Sequence, residues 1–237
     1  MVVFLPLATR VIAGVTVPNT ALINSSIELA RQNLPSHGFG HVMRSWLNGQ
    51  ALVNRLPQPE RAKFDEEAFG VSAILHDMGW AFNTSFVSND KIFEVDGANA
   101  ARDLIRKKGG RGWDQHRIQL VWDAIALHTS RDIAPYKQRE VAYLSMGIYL
   151  ELVGVEIAKQ RYGELITVPE AEWDRIAAEF PRPGMKGYFS GVMIGLCVLK
   201  PEMTYANFVG DWGEKYVQGY TRVGHRVIDL LEAVLPE

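Results

Sequence analysis

"AILHDMGW", residues 73–80, sets a histidine and an aspartate side by side at the end of an apolar run. An ionised carboxylate taken into a core destabilises the fold unless it is paired or bound to a metal. Two arrangements meet that demand. Either His76 and Asp77 neutralise each other and nearby helix ends, or a cation sits against both. The remaining ligands of such a cation must then come from elsewhere in the chain.

The 237 residues suffice for one large or two small domains with a sizeable core. At 47% apolar and 22% charged residues, the composition is that of a globular chain rather than a disordered one. A net charge of −2 supplies no concentrated basic face, so neither nucleic acid nor an anionic membrane is an expected partner. The single cysteine, Cys197, excludes an intrachain disulfide and a thiolate-rich zinc site. It lies in "GVMIGLCVL", which reads as inert core packing. The start, "MVVFLPLATRVIAGV", lacks a basic leader and is interrupted by Pro6 and Arg10, against a signal peptide. No uncharged apolar run of 18 residues occurs, and a cytoplasmic protein is expected.

Apolar periodicity predicts a succession of helices. "NTALINSSIELARQNL" is capped near Asn19 or Thr20 and broken by Pro35, and the stretch from His41 ends at "PQP", 57–59. "ERAKFDEEAFGVSAILHDMG" enters the core in its second half, and Gly79 is a terminator. "WAFNTSFVSNDKIF" reads as loop. "DGANAARDLIRKKGG" is acidic at its start and basic at its end, as a helix dipole favours. Two longer helices follow, "WDQHRIQLVWDAIALHT" and "KQREVAYLSMGIYLELVGVEIAK". Beyond them come a short helix at "VPEAEWDRIAAEF", a Pro/Gly-rich break at "PRPGMKGYFSG" and one long or broken helix at the end. No alternating strand pattern stands out. The prediction is one all-α domain over 1–237, a compact helical bundle with its motif-bearing core at about 20–160 and a helical extension over 161–237.

Ionisable residues stand where the helical pattern expects core. They are His41, His76 with Asp77, His128, and Glu151 within "GIYLELVGV". Gly147 and Gly154 share the face of Glu151, leaving room for a metal or for the close approach of another helix. Two imidazoles and two carboxylates from three segments make an N/O set suited to Zn²⁺, Fe²⁺ or Mn²⁺. Taken singly, His41 and His128 read first as hydrogen-bonded core or cap histidines, and Glu151 as a surface group on a half-buried helix.

Together, "HVMR", "AILHDMG", "FEVDGANAA", "AIALHT" and "ELVG" resemble, in that order, the HD-domain metallohydrolase superfamily and its cyanamide hydratase-like branch of fungal type. The resemblance covers roughly residues 20–160. It implies a compact HD-type helical bundle with a metal held by His41, His76 and Asp77, with Glu151 where relatives carry an aspartate. One divalent ion is implied, zinc first and iron or manganese as alternatives. Phe93 stands where binuclear members have a second-metal histidine, which implies a mononuclear site. His128 is then left to face substrate.

The implied activity is metal-assisted addition of water to a small nitrile- or cyanamide-like substrate. Asp77, His128, Asp96 and Glu94 are the candidate catalytic groups. Arg44, Trp80 and Phe93 are the candidate substrate contacts, and Phe82 and Phe86 extend an apolar wall. For Glu94 and Asp96, dipole stabilisation at a helix start is the competing explanation. The alternatives are an HD-type phosphohydrolase, disfavoured because residues 71–89 contain no Lys or Arg, and a binding or secondary-metabolism protein with an altered metal site. A small molecule is the expected partner, and a homo-oligomer is compatible with the sequence.

Overall fold

The computed structural model describes residues 7–236; the first six residues of the apolar start lie outside them. The described chain opens with a feature absent from the predicted all-α plan. β1 (Thr9–Ile12) and β2 (Val15–Pro18) form an antiparallel hairpin in which Ile12 faces Val15. Ala13 and Gly14 between them have φ of 49° and 80°, the backbone that a tight two-residue hairpin turn demands. Val15 and Val17 point into the core, so the hairpin is anchored through one face.

α1 (Ala21–Asn33) is capped by Thr20, whose hydroxyl accepts the Ile23 amide, as the sequence predicted. α2 (Ser36–Val53) starts earlier than expected, because "SHGFG" is helical rather than a loop. Its two glycines serve close contacts. A Cβ on Gly38 would meet the Tyr188 hydroxyl, and one on Gly40 would meet the Arg44 guanidinium. After the short α3 (Gln58–Arg61), Asp65 caps α4 (Glu66–Leu75), which ends at His76. A 3-10 turn, Met78–Trp80, leads through a loop to α5 (Phe93–Lys108) and α6 (Gln115–Leu127).

α7 (Arg139–Tyr162) lies across α2. A Cβ on Gly147 would come within 2.8 Å of the Gly49 Cα and 3.0 Å of the Ser45 carbonyl oxygen. Of the two uses open to that glycine, close helix approach is the one found. Gly154 serves a different end: its φ of 82° breaks the helix. α7 is long and apolar enough to cross a membrane, yet it packs among α2, α4 and α6 as a core helix.

α8 (Glu170–Glu179) packs on α2 and α7. α9 (Met185–Leu199) replaces the expected Pro/Gly-rich break over most of its length. The last predicted helix is divided into α10 (Gly210–Tyr216) and α11 (Val227–Val234). One apolar cluster extends from Val15 to Val209 and includes Cys197, whose thiol donates to the Val209 carbonyl.

Candidate metal centre

His76 and His128 reach the centre by the same local device. Each follows the last turn of its helix, α4 or α6, as the C-cap. Each ring turns back so that Nδ1–H donates to the carbonyl three residues earlier, Ala73 at 2.9 Å and Ile125 at 2.7 Å. A carbonyl only accepts, so the proton is on Nδ1 and the lone pair on Nε2. Carbonyls in the last turns of two helices thus aim two imidazoles.

His41, on α2, is aimed from behind by Glu151 on α7. The Glu151 Oε2 lies 2.8 Å from His41 Nδ1 and its Oε1 2.6 Å from Arg44 Nε. Burial opposes ionisation of Glu151, but the His41 and Arg44 charges beside it hold its carboxyl below the usual range. An ionised carboxylate accepts, so His41 too carries its proton on Nδ1.

Three ligand atoms therefore converge, and all are buried. His41 Nε2 lies 3.3 Å from His76 Nε2 and 3.3 Å from Asp77 Oδ2, and His76 Nε2 lies 3.1 Å from that same oxygen. Neither Asp77 oxygen has a hydrogen-bond donor among the described residues. Lone pairs packed this closely repel unless a positive charge sits among them. A cation or a proton meets that need. Burial disfavours a charged His41, yet Glu151 and Asp77 outweigh it and raise its pKa to about 9. Burial likewise opposes the Asp77 carboxylate, which His76 and His41 nonetheless hold far below its ordinary range. Ligands on a tetrahedral zinc stand roughly 3.3 Å apart. The triangle has that size, so His41, His76 and Asp77 form a buried cluster able to hold a metal ion.

Glu151 is not in that cluster, which corrects its expected place as a fourth ligand. Both its oxygens are engaged on the far nitrogen of His41 and on Arg44, so it orients a ligand instead. Arg44 is likewise corrected as a substrate contact. It is buried, with Nε on Glu151, Nη1 on the Phe180 and Pro181 carbonyls at 2.9 and 3.3 Å, and Nη2 against the Met185 sulfur. Asp96 is corrected as a catalytic group: it accepts Lys200 Nζ at 2.6 Å and both the amide and the hydroxyl of Ser88. Those bonds pin the 88–91 loop to the end of α9.

The other expected residues do meet at the cluster. His128 Nε2 faces Asp77 Oδ1 at 3.7 Å, and burial together with His76 lowers its pKa to about 3, leaving it neutral. Glu94 accepts the Thr129 hydroxyl through Oε1, while its buried Oε2 has no partner among the described residues. Burial raises its carboxyl to about 7 against the pull of that hydrogen bond. Trp80 stacks on His41 with ring centroids 5.7 Å apart, and Phe93 sets its edge against His128. Gly97 admits α5 to this point, since a Cβ there would meet the His76 carbonyl oxygen at 2.6 Å.

Tyr188 escaped the sequence reading. It belongs to α9, packs on Trp80 and stacks on His37, and its hydroxyl has no hydrogen-bond partner among the described residues. Burial and the nearby Asp77 charge push that phenol far above its usual pKa. Phe189 beside it also packs on Trp80, so α9 roofs the cluster. The only signal in the sequence was Gly38, and its meaning depends on knowing what sits over it. Comparison with protein-family models and with curated proteins gives no match.

Proposed function

We propose that this chain is a metal-dependent hydratase or hydrolase that adds water to a small nitrile- or cyanamide-like substrate. The observation that carries the reading is the convergence of three lone-pair-bearing atoms at 3.1–3.3 Å on a carboxylate without donors. His41, His76 and Asp77 would hold one divalent ion, with zinc, iron and manganese all suited to the donor set. When bound, such an ion lowers the pKa of water toward neutrality and supplies hydroxide.

The chain's own groups divide the remaining work. His128 offers a neutral Nε2 beside Asp77 to accept a hydrogen bond from the attacking water. Glu94, with Oε2 unengaged and its carboxyl raised to about 7, takes up that water's proton and passes it to the substrate nitrogen. The unpartnered Tyr188 hydroxyl and Trp80 Nε1 are donors for the polar end of the substrate. Trp80, Phe93 and Phe189 exclude bulk water. The phosphohydrolase alternative loses support because Arg44 and Lys200 are already consumed by Glu151 and Asp96.

Elemental analysis of protein purified without added metal, beside His76→Ala, tests the reading. About one equivalent per chain, lost in the variant, with conversion of cyanamide to urea by the loaded protein alone, is the expected result. A metal-free protein that takes up no ion on reconstitution would overturn it.

A further inference from the structure

The Tyr188 hydroxyl has no hydrogen-bond partner among the described residues, so no polar contact fixes where that oxygen lies. Packing has to place it. Trp80 meets the phenol ring edge-on, with centroids 6.3 Å apart. Gly38 of α2 leaves the space that the hydroxyl fills, since a Cβ there would collide with it. The third neighbour is the half-buried His37, whose imidazole lies 19° from parallel to the phenol ring, with centroids 5.5 Å apart.

His37 also holds the backbone from which Tyr188 springs. Its Nε2 lies 3.0 Å from the Pro183 carbonyl oxygen, and because a carbonyl only accepts, that nitrogen carries the proton. Pro183 precedes Gly184, the N-cap of α9, and the Tyr188 amide donates to the Gly184 carbonyl at 3.0 Å. One imidazole on the first turn of α2 therefore engages both the start of the first turn of α9 and the side chain at its end. Gly184 permits that approach on two counts. Its φ of 76° is left-handed backbone, and a Cβ there would meet His37 Nε2 at 3.2 Å. Arg44 ties the same segment from another side, through the Phe180 and Pro181 carbonyls and the Met185 sulfur. None of its hydrogen bonds among the described residues reaches Pro183 or Tyr188.

We propose that His37 is a positioning residue. By stacking on the phenol and binding the Pro183 carbonyl, it holds the Tyr188 hydroxyl over the cluster for the polar end of the substrate. His37 is not one of the ligands that converge there and acts only through Tyr188. The task of the hydroxyl rests on the hydratase reading; the hold of His37 on α9 does not. A misplacement of about 1 Å is enough to forfeit such an interaction.

Metal-loaded His37→Ala should keep the metal content of wild type and lose about tenfold in kcat/KM with cyanamide, the loss expected of Tyr188→Phe. The double variant should be no worse than Tyr188→Phe alone, because nothing is left to position. Hydrogen exchange of the metal-free chain, read by mass spectrometry, should quicken severalfold over residues 185–189 in His37→Ala and stay unchanged over α4. Losses that multiply in the double variant overturn the proposal, as does a His37→Ala protein with the kcat/KM of wild type. So does unchanged exchange over 185–189, or quickening that extends to α4 and marks a general loosening. Quickened exchange confined to α9, in a protein that converts no cyanamide, overturns the hydratase reading while upholding the hold of His37 on Tyr188.

Discussion

Glu151 shows how much one carboxylate can fix. It holds His41 in the tautomer that leaves Nε2 free and neutralises Arg44, which in turn ties down the carbonyls of Phe180 and Pro181 at the root of α9. Glu151→Gln keeps an acceptor but removes the charge, and should weaken metal affinity by about 10–100-fold in a competition titration. Arg44→Met strands the buried carboxylate and should cost about 3–5 kcal/mol in denaturant unfolding. Tyr188→Phe should leave metal content and Tm unchanged while lowering kcat/KM roughly tenfold, about 1.4 kcal/mol of transition-state stabilisation. At this scale the sequence disclosed the groups that break a helical apolar pattern, His41, His76, Asp77 and His128. It did not disclose which nitrogen of His41 Glu151 would meet, because that depends on how α7 crosses α2.

Two glycines of α7 separate sequence from context. Gly147→Ala forces a Cβ against the backbone of α2 and should cost about 1–3 kcal/mol. Gly154→Ala meets no neighbour, but must adopt φ of 82° or straighten the helix, at a cost of about 1–2 kcal/mol. Thermal unfolding of both variants checks the difference. The helices bounded by clear signals, such as Thr20 and Pro35, were the legible ones. α9 was hidden because four glycines lie within or next to its first three turns, and its stability comes from burial of Val192, Met193 and Leu196 instead of propensity. The hairpin was overlooked for a different reason. Its turn, Ala13–Gly14, is short, and its strands have only four residues each.

Across the whole molecule, stability responds to pH through groups far from the cluster. Glu140 is buried against α4 and accepts the Asp65 amide at 2.8 Å. Burial raises its carboxyl above the ordinary 4.5, and the hydrogen bond offsets this only in part. Such a group favours the folded state fully below pH 4.5, and its contribution is lost as pH rises through the raised folded value. Glu140→Gln removes that loss, so its Tm relative to wild type should climb with pH over the same window. Metal removal acts separately. An ion present at 100 times its Kd adds about 2.7 kcal/mol, so chelation should lower Tm by roughly 5–10 °C.

The roof over the cluster also sets a clock. His41, His76 and Asp77 are at most 1% exposed, beneath Trp80, Tyr188 and Phe189. An ion held there escapes only when α9 lifts, and a chelator can act only on what has escaped. Beyond a modest excess, doubling the chelator should therefore leave the rate of metal loss unchanged. That plateau is the opening frequency of α9 itself.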